Sequence, residues 1–167
     1  NVVPVTLELG GKSPQLVFAD ADLEAATPFL VNAAIQNAGQ TCSASSRILV
    51  HRSKLDEVTT RMAAQYNALQ VGPALDDLHV GPLVSARQKD IVSGYLDKGH
   101  GLETAAQGQI IADAPEGGSY IAPTLFTSVS PDHMLAKDEI FGPVQVIIPF
   151  DDDDEAVAIA NGTDYGL

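Results

Sequence analysis

The sequence predicts an α/β protein, an open sheet with helices on its faces, and three observations lead there. Strand-like runs alternate along the chain with stretches of helical periodicity, the order that builds sheets flanked by helices. Hydrophobic residues make up 45% and charged residues 19% of 167 residues, enough for a substantial core. No repeat, low-complexity linker or shift of composition divides the chain, so one domain is expected over 1–167.

Each element has a local reason. Val5, Leu7 and Leu9 alternate with Thr6 and Glu8, the period of a half-buried strand, which Gly10-Gly11 ends and Pro4 confines to an edge. Asp20 caps a short helix reaching Ala26. Thr27-Pro28 then reads as a new helix start, with proline at the first helical position. That second helix runs to about Asn37, before Gly39. A single helix kinked at Pro28 is the weaker alternative, since proline removes a donor. Residues 46–51 form a strand. Ser53 and Asp56, at capping-box spacing, open a helix whose apolar stripe is Leu55, Val58, Met62, Tyr66 and Leu69, and Gly72-Pro73 stops it. Ser85 opens the next helix, with Ile91, Val92, Tyr95 and Leu96 inward and Gly99 after its end. Strands follow at 109–112, 120–129 and 144–149, and a last helix runs from about Asp152 to Ala160.

The composition also excludes. No apolar stretch approaches the roughly 20 residues of a membrane-spanning helix, and no charged-then-apolar leader is visible. Residue 1 is Asn rather than Met, so the natural start is expected upstream. A net charge of −13 disfavours nucleic acid or an anionic lipid surface as partner. One cysteine makes an internal disulfide impossible and points to the cytoplasm as the default compartment. The four histidines lack metal spacing. The acidic run Asp151–Asp154 with Glu155 suits the positive end of a helix dipole better than a cation.

Three segments could carry chemistry. Cys42, in Asn37-Ala38-Gly39-Gln40-Thr41-Cys42, lies in a predicted loop among small polar residues, an odd place for a core thiol. Glu8 is a carboxylate among Val and Leu. It is either held for a task or on the solvent face of an edge strand. Glu139 and Phe141 stand before a Gly-Pro turn, where Phe141 could equally plug the core. Gly10-Gly11-Lys12-Ser13 is no phosphate-binding loop, because Thr6 occupies the place of that loop's first glycine. Taken singly, each is better read as structural: a packed thiol, a carboxylate on the solvent face and a Phe141 that plugs the core.

Taken together they read otherwise. Val5-Thr6-Leu7-Glu8-Leu9-Gly10-Gly11-Lys12-Ser13-Pro14, Asn37-Ala38-Gly39-Gln40-Thr41-Cys42 and Glu139-Ile140-Phe141-Gly142-Pro143, in this order and at these intervals, resemble the aldehyde dehydrogenase superfamily. Val80-Gly81-Pro82-Leu83, Ile121-Ala122-Pro123-Thr124 and the closing stretch from Ala160 to Leu167 agree, so the resemblance covers the whole chain. It implies the nucleophile-bearing catalytic domain, with an open, twisted, mostly parallel sheet.

The resemblance implies that Cys42 attacks the aldehyde carbonyl and becomes acylated. It implies that Glu8 activates the hydrolytic water, a task suited to partial burial. Glu139 would bind the nicotinamide ribose of NAD or NADP, and Phe141 would pack beside the nicotinamide. Leu9 and Gly10 would offer backbone contacts, and Gly10 would let the cofactor approach closely. Gln88 would touch a ribose, although Ser85 and Gln88 also make a capping box, and the cap is the preferred reading. Lys12 is given no role beyond structure. The oxyanion is assigned to the Cys42 amide together with an upstream Asn that no segment here matches. The family also carries an upstream dinucleotide-binding domain, an oligomerisation arm and a further C-terminal stretch. The 167 residues alone are therefore expected to be nearly inactive, and the full-length protein a homo-oligomer acting on a small aldehyde. The rivals are a relative passing its acyl group to coenzyme A, against which Glu8 argues, and a non-catalytic relative, against which Cys42, Glu8 and Glu139 together argue.

Overall fold

The computed structural model describes residues 2–167. In chain order it contains β1 (Pro14–Val17), α1 (Leu23–Ile35), β2 (Arg47–His51), α2 (Leu55–Ala68), β3 (Gln70–Val71), α3 (Ala86–Lys98), β4 (Glu103–Gln107), β5 (Gln109–Ile110), β6 (Thr124–Thr127), α4 (Met134–Lys137), β7 (Val144–Phe150) and α5 (Asp153–Ala160). The main sheet runs β1-β2-β7-β6-β4. Its first four strands are parallel, and β4 is antiparallel to β6. A small separate pair joins β3 to β5. The mostly parallel open sheet expected from the sequence is what forms.

Its central strands are covered on both sides. Ile48, Leu49 and Val50 of β2 and Val146, Ile147 and Ile148 of β7 are fully buried, which is why they read as continuous rather than alternating apolar runs. The faces follow from register. Arg47 pairs with Val146, so both point to one side, and the Arg47 guanidinium donates to the carbonyls of Ile159 and Ala160 in α5. Gln145, one residue earlier, must point to the other side. There it accepts from the Tyr66 hydroxyl of α2 and donates to Leu30 O of α1. Helices α1 and α2 therefore cover one face and α5 the other.

Several elements depart from the sequence reading. Residues 5–9 form no strand; Val5, Leu7, Leu9 and Glu8 are all exposed, and the edge strand starts only at Pro14. Alternation cannot make a strand without a partner to pair with. Helix α1 is one helix through Pro28, capped by Asp22 rather than Asp20. The carbonyl that Pro28 leaves without a donor belongs to Glu24, an exposed residue. Ser53 caps nothing. It sits in a short 3-10 turn, where its amide and its hydroxyl both contact His51 Nδ1. Ile91 is exposed, leaving Val92 as the buried residue of α3. Strand β4 has few apolar residues and was not anticipated. The strands expected over 109–112 and 120–129 shrink to β5 and β6. The acidic start of α5 is a cap, with Asp152 accepting from Glu155 N. Among the described residues no cluster could hold a metal ion, and no helix is long and apolar enough to cross a membrane.

Candidate active site

The three segments singled out above share one topological feature. Glu8 to Lys12 leads into β1, the Cys42 loop leads into β2, and Glu139 to Pro143 leads into β7. These strands are adjacent and parallel, so all three segments emerge at the same, amino-terminal edge of the sheet. Most open α/β sheets bind ligands at the carboxyl edge. Here the opposite edge carries the cleft. A cleft of about 510 Å³ is lined by Glu8, Leu9, Gly10, Asn37, Gln40, Thr41, Cys42, Glu139 and Phe141. Six of the seven residues marked in the sequence thus converge, and the seventh, Gln88, does not line it.

The Cys42 loop is built from unusual backbone. Asn37, Ala38 and Gly39 have φ of 51°, 54° and 75°, all left-handed. Such a conformation costs a residue bearing a Cβ about 1–2 kcal/mol, so neighbours must hold it. Asn37 Nδ2 donates to Gln40 O and Gln40 Nε2 donates back to Asn37 O, both at 3.0 Å. Gln40 Oε1 accepts from Val84 N at 2.9 Å, and buried Gln145 donates to Ser45 O at 2.7 Å. Gly39 is required for space as well as φ. A Cβ there would meet Gly142 O at 2.2 Å, so the cysteine loop rests directly on the turn before β7. Cys42 is half-buried, and its amide makes no hydrogen bond among the described residues, leaving that donor for a ligand.

Across the cleft, Glu139 Oε1 accepts from Gly11 N at 3.2 Å. Its Oε2 would lie 2.3 Å from a Cβ at Gly10, so a side chain there would push the carboxylate aside. Phe141, with φ of 56°, is 38% exposed at the cleft. Glu8 is exposed rather than partly buried, a correction to the expected environment of a tuned base. At Gln88 the preferred capping box forms only in its Ser85 half. Ser85 Oγ does accept from Gln88 N, but the Gln88 amide side chain turns away from the cap and donates to Ile140 O at 3.2 Å and Phe141 O at 2.9 Å.

Behind the cleft lies a feature the sequence did not disclose. Lys12 is 1% exposed and its Nζ has no partner among the described residues. Burial, then the positive charge of Arg47, pushes the amine down to about 7, against the opposing pull of Asp138 and Glu139. Arg47, also buried, donates from Nε to Lys12 O at 2.8 Å, tying the Glu8–Lys12 segment to β2. Asn37 had left a trace in the sequence, since asparagine is the side chain most at ease left-handed. Lys12 and Arg47 had left none, because buried cations look in sequence like surface ones.

Known proteins match this arrangement along its length. The sequence model described as the aldehyde dehydrogenase family matches residues 1–167. A crystal structure from Burkholderia cenocepacia, of a protein assigned as an aldehyde dehydrogenase, is 56% identical with a TM-score of 0.97 over 99% of this chain and 35% of its own. An aldehyde dehydrogenase from Bacillus cereus, solved as an NAD+ complex, is 41% identical with a TM-score of 0.89 over 98% of this chain and 33% of its own. A variant aldehyde dehydrogenase from Pseudomonas syringae, complexed with NAD+ and octanal, is 40% identical with a TM-score of 0.88, over 96% of this chain and 34% of its own. The chain thus spans about a third of the length of these relatives.

Proposed function

The chain belongs to the aldehyde dehydrogenase family, and from that premise we propose that it is the nucleophile-bearing part of an enzyme that oxidises an aldehyde to a carboxylic acid with NAD+ or NADP+. The observation that carries the reading is the shared cleft, into which one thiol and two carboxylates are delivered from three different loops.

The chemistry assigned to these residues is as follows. Cys42 Sγ, as thiolate, attacks the carbonyl carbon, and the oxyanion of the thiohemiacetal is met by the free Cys42 amide. When bound, NAD(P)+ supplies the acceptor for the hydride whose loss converts the thiohemiacetal into a thioester. Glu8 then takes a proton from water as the water oxygen attacks the thioester carbon. The C–S bond breaks, the carboxylic acid leaves and Cys42 is regenerated as thiolate. The residues present suit the nicotinamide end of such a cofactor. Glu139 has one oxygen held by Gly11 N and the other without a hydrogen-bond partner among the described residues, Gly10 lines the cleft without a side chain, and Phe141 is partly exposed there. The NAD+ complexes of the Bacillus and Pseudomonas relatives favour NAD+.

This chain spans only about a third of the length of the relatives that hold NAD+. We therefore assign residues 1–167 to the catalytic domain of a longer, homo-oligomeric, cytoplasmic polypeptide, and the 167 residues alone are expected to turn over little aldehyde. Octanal, bound by the Pseudomonas relative, sets a first member for an aldehyde panel. The test is Cys42→Ser in the intact polypeptide. It should abolish aldehyde oxidation with NAD+ affinity retained; oxidation at the parental rate would refute the assignment.

A further inference from the structure

The turn that carries Glu139 and Phe141 into the cleft is not held by its own residues. Phe141 is left-handed, a conformation that a side chain bearing a Cβ adopts only when something compels it. Helix α3 lies against this turn, and the cysteine loop rests on its Gly142 carbonyl. At Gly142 an added Cβ would meet Val92 Cγ2 at 2.5 Å, so the turn sits flush on the helix. One turn earlier on the helix, Gln88 donates the same amide nitrogen to two consecutive carbonyls of that turn, Ile140 O and Phe141 O. Its own backbone is fixed by the Ser85 cap at 3.2 Å. A glutamine at this position ordinarily reaches back to complete a capping box. Here the side chain is spent on the turn instead.

We propose that Gln88 is a positioning residue, whose amide clamps the Glu139–Gly142 turn to α3 and so presents the Glu139 carboxylate and the Phe141 ring to the nicotinamide end of the cofactor. The role in cofactor binding rests on the function proposed above; the clamp itself does not. Gln88 does not line the cleft, and its side chain is hydrogen-bonded to the Ile140 and Phe141 carbonyls rather than to the thiol or the carboxylates.

Gln88→Glu is the sharp perturbation, because it keeps the shape of the side chain and places a carboxylate oxygen against two carbonyl oxygens. Gln88→Lys restores a donor. The first arm needs no cofactor: in the 167-residue chain, Gln88→Glu should speed hydrogen exchange of the Val144 amide, which bonds to Gly142 O, and Gln88→Lys should slow it again. Unchanged exchange in Gln88→Glu overturns the clamp. The second arm uses the intact polypeptide. Gln88→Glu should weaken NAD+ binding by about tenfold or more, leave the KM for aldehyde unchanged, and be rescued by Gln88→Lys. Parental NAD+ affinity in Gln88→Glu, or an equal loss for NAD+ and aldehyde together with a fall in Tm, overturns the positioning role. A parent that fails to bind NAD+ counts against the proposed function and leaves the exchange arm to decide the clamp.

Discussion

Replacing Lys12 with Met should make the protein more stable near neutral pH, and the gain should vanish as the pH rises. Lys12 Nζ is buried without a partner among the described residues, and its amine falls from the ordinary 10.5 to about 7, chiefly through burial and secondarily through Arg47, with Asp138 and Glu139 pulling the other way. The sign follows from proton counting. Above 10.5 the amine is neutral in both states and folding carries no charging cost. Between 10.5 and 7 the unfolded chain binds the proton and the folded chain does not, so stability falls as the pH falls. Below about 7 both states are protonated and the full cost stands. At about 1.4 kcal/mol per pH unit, the two units from pH 9 to pH 7 amount to roughly 2–3 kcal/mol. Met keeps the aliphatic packing and removes the amine. Urea unfolding of parent and variant at pH 6, 7, 8 and 9 reads this directly. The parent should gain stability from pH 7 to 9 relative to Lys12→Met, and the variant should be the more stable of the two at pH 6 and 7. Parallel pH profiles, or a variant less stable at every pH, would refute the picture of an unpaired buried amine.

Two further outcomes test the scaffold beneath the cleft. Gly39→Ala adds a left-handed Cβ facing Gly142 O at 2.2 Å and should cost about 3 kcal/mol or more in urea unfolding, because backbone is all there is to yield. Gln145→Leu strips the carbonyls of Leu30 and Ser45 and the Tyr66 hydroxyl of their buried partner and should cost roughly 3 kcal/mol in the same measurement. A loss well under 1 kcal/mol in either variant would show that the loop is held by other means.

How far the fold could be read from sequence depended on whether the deciding interaction was local. The buried runs of β2 and β7, the stripe of α2 and the caps of α3 and α5 are local, and they stand in the structure near where periodicity puts them. Residues 5–9 have the right alternation but no partner strand, and pairing cannot be seen in one strand. Pro28 and Glu24, the residue whose carbonyl it leaves without a donor, are both exposed in α1, a fact of burial rather than of sequence. The site was legible through motif order, since Cys42, Glu8 and Glu139 precede three strands that become neighbours only in the sheet. The partners of the Gln88 side chain were hidden for the same reason. Its spacing to Ser85 is local, while the carbonyls it binds lie 52 and 53 residues away. Lys12 and Arg47 owe their burial wholly to long-range packing.

The claim on which the account turns is that Cys42 and Glu8 serve one reaction centre in succession. Pre-steady-state formation of reduced cofactor by Glu8→Gln, in the intact polypeptide with saturating aldehyde, tests it most directly. Glu8→Gln should give a burst of about one equivalent per Cys42, an acyl group recovered on that thiol, and almost no turnover afterwards. Sustained turnover at the parental rate, or a burst with no adduct on Cys42, would contradict it.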